Sequence, residues 1–160
     1  MRTAATSQGK TPPRPKHAGV TVLDELMLVE TIFYSGYLGV SVGPFFWLTC
    51  STANLELGRV VREAMNSSRG LPLDFELDRR EFETQVFSGT RFSGWSNFQR
   101  KARCISVTEE QGQIEFVPTY NQASKRKGLL YLPEKTIRID ITPNFEEIGS
   151  LVRDAFALCE

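Results

Sequence analysis

The side chains able to do acid–base, nucleophilic or metal chemistry are few in this sequence, and their placement limits what any of them could do. His17 is the one histidine. It falls in a basic, Pro-rich lead (Thr11-Pro-Pro-Arg-Pro-Lys16) read as flexible, so the folded body is expected to lack an imidazole base, triad or imidazole metal site. Cys50, Cys104 and Cys159 are odd in number, widely spaced and outside any C-x-x-C, so they write neither a disulfide framework nor a four-thiolate zinc site. A nucleophilic thiol needs an activating base or a depressed pKa; each cysteine reads instead as a small apolar side chain in or beside a strand or helix. The pairs Glu109-Glu110 and Glu146-Glu147 read as a turn and a helix N-terminus. No G-x-x-x-x-G-K-[ST] occurs, nor a G-x-G-x-x-G between strand and helix, and Gly36, Gly39 and Gly43 fit hairpin turns better than a phosphate cradle. The expectation is a protein with no catalytic residue, no metal and no cofactor, and not an enzyme.

Recognition is what remains. Asp74, Glu76, Asp78, Glu81 and Glu83 are interleaved with Phe75, Leu77 and Phe82, a pattern that could meet a basic partner surface, although a solvated strand or helix face explains it as well. Two basic clusters, Arg100-Lys101-Arg103 and Lys125-Arg126-Lys127, lie near Trp95, Phe98 and Tyr120, and cations among aromatics are how sheets hold single-stranded nucleic acid. Charged loops and aromatic cores give the same pattern. Overall the 160 residues carry 19 basic and 19 acidic side chains, with +4 in residues 1–18 and −4 in the rest, which excludes a bulk polycation. Residues 1–18 are taken as a flexible extension and 19–160 as one domain. Neither a secretory signal pattern nor an apolar run of the ~18 residues needed to span a membrane is present, and the expected place is the cytoplasm.

The elements that must position these groups follow from periodicity. Strands are predicted near 27–34, 37–42 and 45–50, with Gly43-Pro44 as a turn. A helix follows from about Leu55 to Ser67, entered through Ser51, Thr52 or Asn54, with Leu57, Val60, Val61, Ala64 and Met65 in one apolar stripe. Residues 73–85 mix period two with a helical turn and leave both open. Strand patterns return at 102–107, 114–118, 128–132 and 136–141, with Gln111-Gly112 as a hairpin turn. The last helix opens on a capping-box arrangement at Asn144 and Glu147 and carries the stripe Ile148, Leu151, Val152, Ala155 and Phe156.

The two stripes superpose at an offset of 91, which pairs Gly58 with Gly149, Val61 with Val152, Arg62 with Arg153, Glu63 with Asp154 and Ala64 with Ala155. This is an internal repeat. Gly costs a helix about 1 kcal/mol relative to Ala, so its recurrence at one position predicts close packing there against a strand or the other helix. The predicted fold class is α+β: a strands-then-helix unit occurring twice, as antiparallel sheet with helices packed on it.

Leu57-Gly58 through Ala64, Ser67-Ser68-Arg69, Phe98 through Val107, Gly112 through Thr119, Gly128-Leu129 and Glu147-Ile148-Gly149 through Ala155, taken in order, carry a resemblance. From about Ser41 to Cys159 the chain resembles the immunity proteins of bacterial contact-dependent growth inhibition systems, in the class with two Leu-Gly, Ala helices. The resemblance implies a cytoplasmic antidote that binds the C-terminal toxin domain delivered by a neighbouring cell, often a nuclease, one to one and without chemistry of its own. It also implies a twisted antiparallel sheet like that of Whirly single-stranded-DNA-binding domains. The lead and residues 73–94 find no match in the pattern. On that reading the toxin-binding residues are Asp74, Glu76, Asp78, Glu81 and Glu83 for charge and Trp95 as an aromatic anchor. The alternative is a single-stranded nucleic-acid-binding module that uses the two basic clusters.

Overall fold

The computed structural model describes residues 13–35, 38–72, 74–122, 129–140 and 142–160; the Lys125-Arg126-Lys127 run lies outside them. Strands β1 (Lys16–Leu23), β2 (Leu26–Ser35) and β3 (Leu38–Thr49) lead into helix α1 (Asn54–Ser67). Helices α2 (Arg79–Phe87) and α3 (Trp95–Gln99) follow. Strands β4 (Arg103–Glu110), β5 (Gln113–Asn121), β6 (Leu129–Tyr131) and β7 (Ile137–Ile139) then lead into α4 (Phe145–Ala157). All pairings among these strands are antiparallel, in the order β3-β2-β1-β4-β5-β6, with β7 also on β5. The class is α+β, with strands preceding a helix twice.

The first strands of the two units, β1 and β4, pair with each other at the centre of the sheet, Val20 opposite Ile105. Alternation along the strands then sorts side chains by face. Ala18, Val20, Val22, Met27, Val29, Ile105 and Val107 point to one face, where the α1 stripe (Leu57, Val60, Val61, Ala64) and the α4 stripe (Ile148, Val152, Ala155) close the main core. Helices α1 and α4 touch through their glycines. A Cβ on Gly58 would lie 1.7 Å from the carbonyl oxygen of Phe145, and one on Gly149 would lie 2.0 Å from that of Asn54. Phe145 and Asn54 are themselves 91 apart, so the crossing is reciprocal: each glycine admits the first turn of the other helix.

Arg153 fixes the entry to α1. Its Nε donates to Asn54 Oδ1 at 2.7 Å and its Nη1 to the Cys50 carbonyl at 3.0 Å, while Nη2 donates to the Thr52 carbonyl. The residue at the N-cap position is therefore Ala53, with no side-chain cap, and not Ser51, Thr52 or Asn54, because the Asn54 amide oxygen is taken by the guanidinium. Hydrogen bonds from charged donors contribute about 1.5–3 kcal/mol each, so Arg153→Ala is expected to cost roughly 3 kcal/mol in urea denaturation. Arg153→Lys, which cannot reproduce the fork, should recover only part of it. At α4 the predicted capping box is present: Glu147 N–H donates to Asn144 Oδ1 at 2.9 Å and Asn144 N–H to Glu147 Oε2 at 2.8 Å.

Two features differ from the sequence expectations, and two more settle what the sequence left open. Strand β1 begins at Lys16, inside the lead assigned to residues 1–18; Ala18 is fully buried in the main core and His17 belongs to the sheet. Gly43-Pro44 is not a turn between strands 37–42 and 45–50. It is a cis peptide within one long strand, β3, where the register shifts between Glu30 and Ile32, so that Val42, Gly43 (φ +81°) and Pro44 bulge opposite Thr31. Residues 73–94 contain a helix, α2, capped by Asp78, whose side chain accepts from Arg80 N–H and Glu81 N–H, both at 3.0 Å. The aromatic stretch beyond it supplies α3. The Gln111-Gly112 hairpin turn is as expected, both residues having positive φ.

Candidate binding surfaces

Among the described residues, the second face of the sheet is only partly covered. Helices α2 and α3 sit over Leu23, Leu28, Phe45 and Trp47 and build a smaller aromatic core with Phe82, Val86, Phe87, Phe92, Trp95 and Phe98. Trp47 crosses this core, donating its indole N–H to the Val86 carbonyl at 2.8 Å. Where the aromatic cover ends, the same face opens into a groove of about 340 Å³ that crosses β1, β2, β4 and the edge of β6.

Glu30 lies in this groove. It is 8% exposed, and its cross-strand neighbour is Gly19, where a Cβ would stand 2.8 Å from Glu30 Oε1. The absence of a side chain at Gly19 lets the carboxyl lie across β1. Ser41 Oγ donates to Glu30 Oε2 at 2.5 Å. Burial outweighs that hydrogen bond and pushes the carboxyl from its ordinary 4.5 up to about 7. Cys104, Tyr34, Tyr131 and His17 share the lining, and Glu30 is the one formally charged side chain among the described lining residues. Burial also pushes the Cys104 thiol up to about 12, with the Glu30 charge adding to it, so Cys104 is held as a thiol. His17 stacks on Tyr34 at 4.4 Å and its Nδ1 lies 3.2 Å from Thr108 Oγ1. Its Nε2 is buried with no hydrogen-bond partner among the described residues, and burial lowers its pKa against the opposing pull of Glu110. Sequence reasoning missed this groove. The available signal was a single acid within an apolar strand, Leu28-Val29-Glu30-Thr31-Ile32.

The acidic stretch is a separate surface. Asp74, Glu76, Asp78 and Glu81 are exposed and Glu83 is half-buried, along the approach to α2 and on that helix itself. Asp78 is committed as the cap, and Glu81 accepts from Gln85 Nε2 at 3.4 Å. Trp95 is half-buried against Phe82, Phe87 and Phe98, with ring centroids 5.1–6.2 Å away. Of the aromatics beside the basic clusters, Phe98 is fully buried and Tyr120 half-buried, while Arg103 lies over the Phe156 ring at 5.9 Å and donates to the Phe156 carbonyl at 3.4 Å. Arg100 and Lys101 thus have no exposed stacking ring from Trp95 or Phe98 beside them.

Together these features define an α+β protein with a duplicated half, one face sealed by two crossing helices and the other offering a groove and an acidic ridge. The chain belongs to the family of CDI immunity proteins (CdiI), which it matches over residues 16–159, including residues 73–94 that the sequence motifs left unmatched. No curated protein sequence matches it. Among solved structures it is similar to the protein of unknown function NMB0488 from Neisseria meningitidis, at a TM-score of 0.73 and 16% identity over 96% of this chain and 100% of that one. It is also similar to a chain of the CdiA-CT/CdiI toxin and immunity complex from Yersinia pseudotuberculosis, at 0.75 and 15%, over 94% and 100%. At these identities the likeness is one of fold. None of the helices among the described residues is long and apolar enough to cross a membrane.

Proposed function

We propose that this chain is the antidote of a contact-dependent growth inhibition system, binding the C-terminal toxin domain one to one in the cytoplasm and blocking it by occlusion. The observation that carries this reading is the family match, which runs through nearly the whole described fold. The toxin is taken to be a nuclease, whose basic substrate-binding surface the carboxylates of Asp74, Glu76, Asp78, Glu81 and Glu83 would complement. An interface of standard size, about 1,200–2,000 Å² in total, is enough to cover an active site without any reaction by the antidote. Trp95 contributes by holding α3 against α2 behind that ridge.

The test is co-purification with the toxin fragment encoded immediately upstream, paired with growth of cells expressing that fragment with and without this chain. A complex and rescued growth are expected; no complex and no rescue would overturn the reading. The ridge is tested separately by Asp74→Lys with Glu76→Lys, which spares the Asp78 cap. Affinity by calorimetry should fall at least tenfold and lose part of its salt dependence, with the melting temperature unchanged. Unchanged affinity would remove the ridge from the interface.

A further inference from the structure

We propose that the groove over Glu30 is the receptor for one basic side chain, lysine or arginine, inserted by the toxin domain. This deepens the proposed antidote function and rests on it.

Five observations converge on a cation. The groove is a cavity of about 340 Å³ on the open half of the sheet, the size of a small-ligand cleft. Glu30 is its one formally charged lining side chain among the described residues, and Ser41 Oγ donates to one of its carboxyl oxygens. The second oxygen lies over Gly19, where a larger residue would displace it, so the backbone is shaped to hold a carboxyl here. In the wall, His17 Nε2 is buried without a partner among the described residues; in the tautomer whose Nδ1 donates to Thr108, that nitrogen is an acceptor. The aromatic rings of Tyr34 and Tyr131 also line the groove and suit the stem or plane of a basic side chain.

A buried carboxyl whose one donor among the described residues is a hydroxyl is a poor structural device on its own, because removing a charge from water costs more than one such bond returns. An incoming ammonium or guanidinium supplies the missing charge and donors. Binding then ionises Glu30 fully and releases its proton. The other titratable groups facing it are His17 from β1, Tyr34 from β2, Cys104 from β4 and Tyr131 from β6, with Glu110 beyond His17.

The experiment is calorimetric titration of the full chain and of Glu30→Gln with the upstream-encoded toxin domain, inactivated at its own catalytic residue, at pH 7 in two buffers of different ionisation enthalpy. The wild type should release a fraction of a proton on binding. Glu30→Gln should bind at least tenfold more weakly and lose that release, while melting no lower than the wild type. A scan of the toxin's exposed lysines and arginines to alanine should find one whose loss costs much less affinity in the Glu30→Gln background. Equal affinity and equal proton release for the two proteins would overturn the groove as the receptor while leaving the antidote function standing. Failure of the wild type to bind at all would overturn both.

Discussion

Gly58→Ala should destabilise the protein by about 2 kcal/mol or more, although alanine is the better helix former by about 1 kcal/mol. The added methyl would sit 1.7 Å from the Phe145 carbonyl oxygen, where Cβ contacts under 3.0 Å essentially do not occur, so α4 would have to retreat by about 1.3 Å. The obstacle is backbone. It cannot swing aside as a side-chain tip would, and the α1 and α4 stripes that close the main core on β1, β2 and β4 would part together. Gly149→Ala meets the Asn54 carbonyl in the reciprocal way at 2.0 Å and should cost a similar amount. Because both methyls force the same separation, the double variant should lose less than the sum of the single losses. Equilibrium urea unfolding measures all three. A Gly58→Ala protein as stable as the wild type would mean that the helices do not approach this closely.

The second large effect is on pH. Glu30 has a folded pKa raised above its unfolded value, so its contribution to stability is fully present below about 4.5 and is lost as pH rises through about 7. At 1.36 kcal/mol per unit, that window corresponds to about 3 kcal/mol. Glu30→Gln keeps the shape and removes the titration. It should be more stable than the wild type by about 2–3 kcal/mol at pH 8, the gain falling below about 1 kcal/mol at pH 5. His17, whose pKa burial lowers, acts in the opposite sense, taking stability away as pH falls below about 6.5, and it is present in both proteins. The difference between the two unfolding curves against pH therefore isolates Glu30. A difference that does not change between pH 5 and pH 8 would mean that the carboxyl is not desolvated.

Helical periodicity was the most readable signal. The α1 and α4 stripes, the Asn144 capping box and the 91-residue offset of Gly58 and Gly149 are local patterns; the offset foretold close packing against a strand or the other helix, and the structure shows the helix. Strands were less legible, because whether Gly43-Pro44 turns the chain or bulges it depends on what β2 places opposite. Lys16 and His17 looked like part of a solvated lead; their place in β1 comes from pairing with Thr108 and Glu109, 91 and 93 residues away, which no local window contains. The same limit hid the groove. Glu30 is visible as an acid in an apolar run, but its setting depends on Gly19, Ser41 and Cys104 meeting it from three other strands. The acidic ridge was legible as composition, whereas the Asp78 cap and the burial of Trp95 needed α2 and α3 to be recognised as helices.

The central β1–β4 pairing also governs how the protein comes into being on the ribosome. The β1–β2 and β2–β3 hairpins join near neighbours and can close as they emerge, but each β1–β4 partner is 81 to 93 residues away, and the apolar face of α1 waits 91 residues for α4. Closing so long a loop is slow, and contacts of this range set the folding rate of small domains. A partly made chain therefore exposes the face that the finished one hides, the kind of apolar surface that chaperones cover. On the antidote function proposed above, protection rests on the stock completed before a toxin arrives, because synthesis begun afterwards must still close this seam.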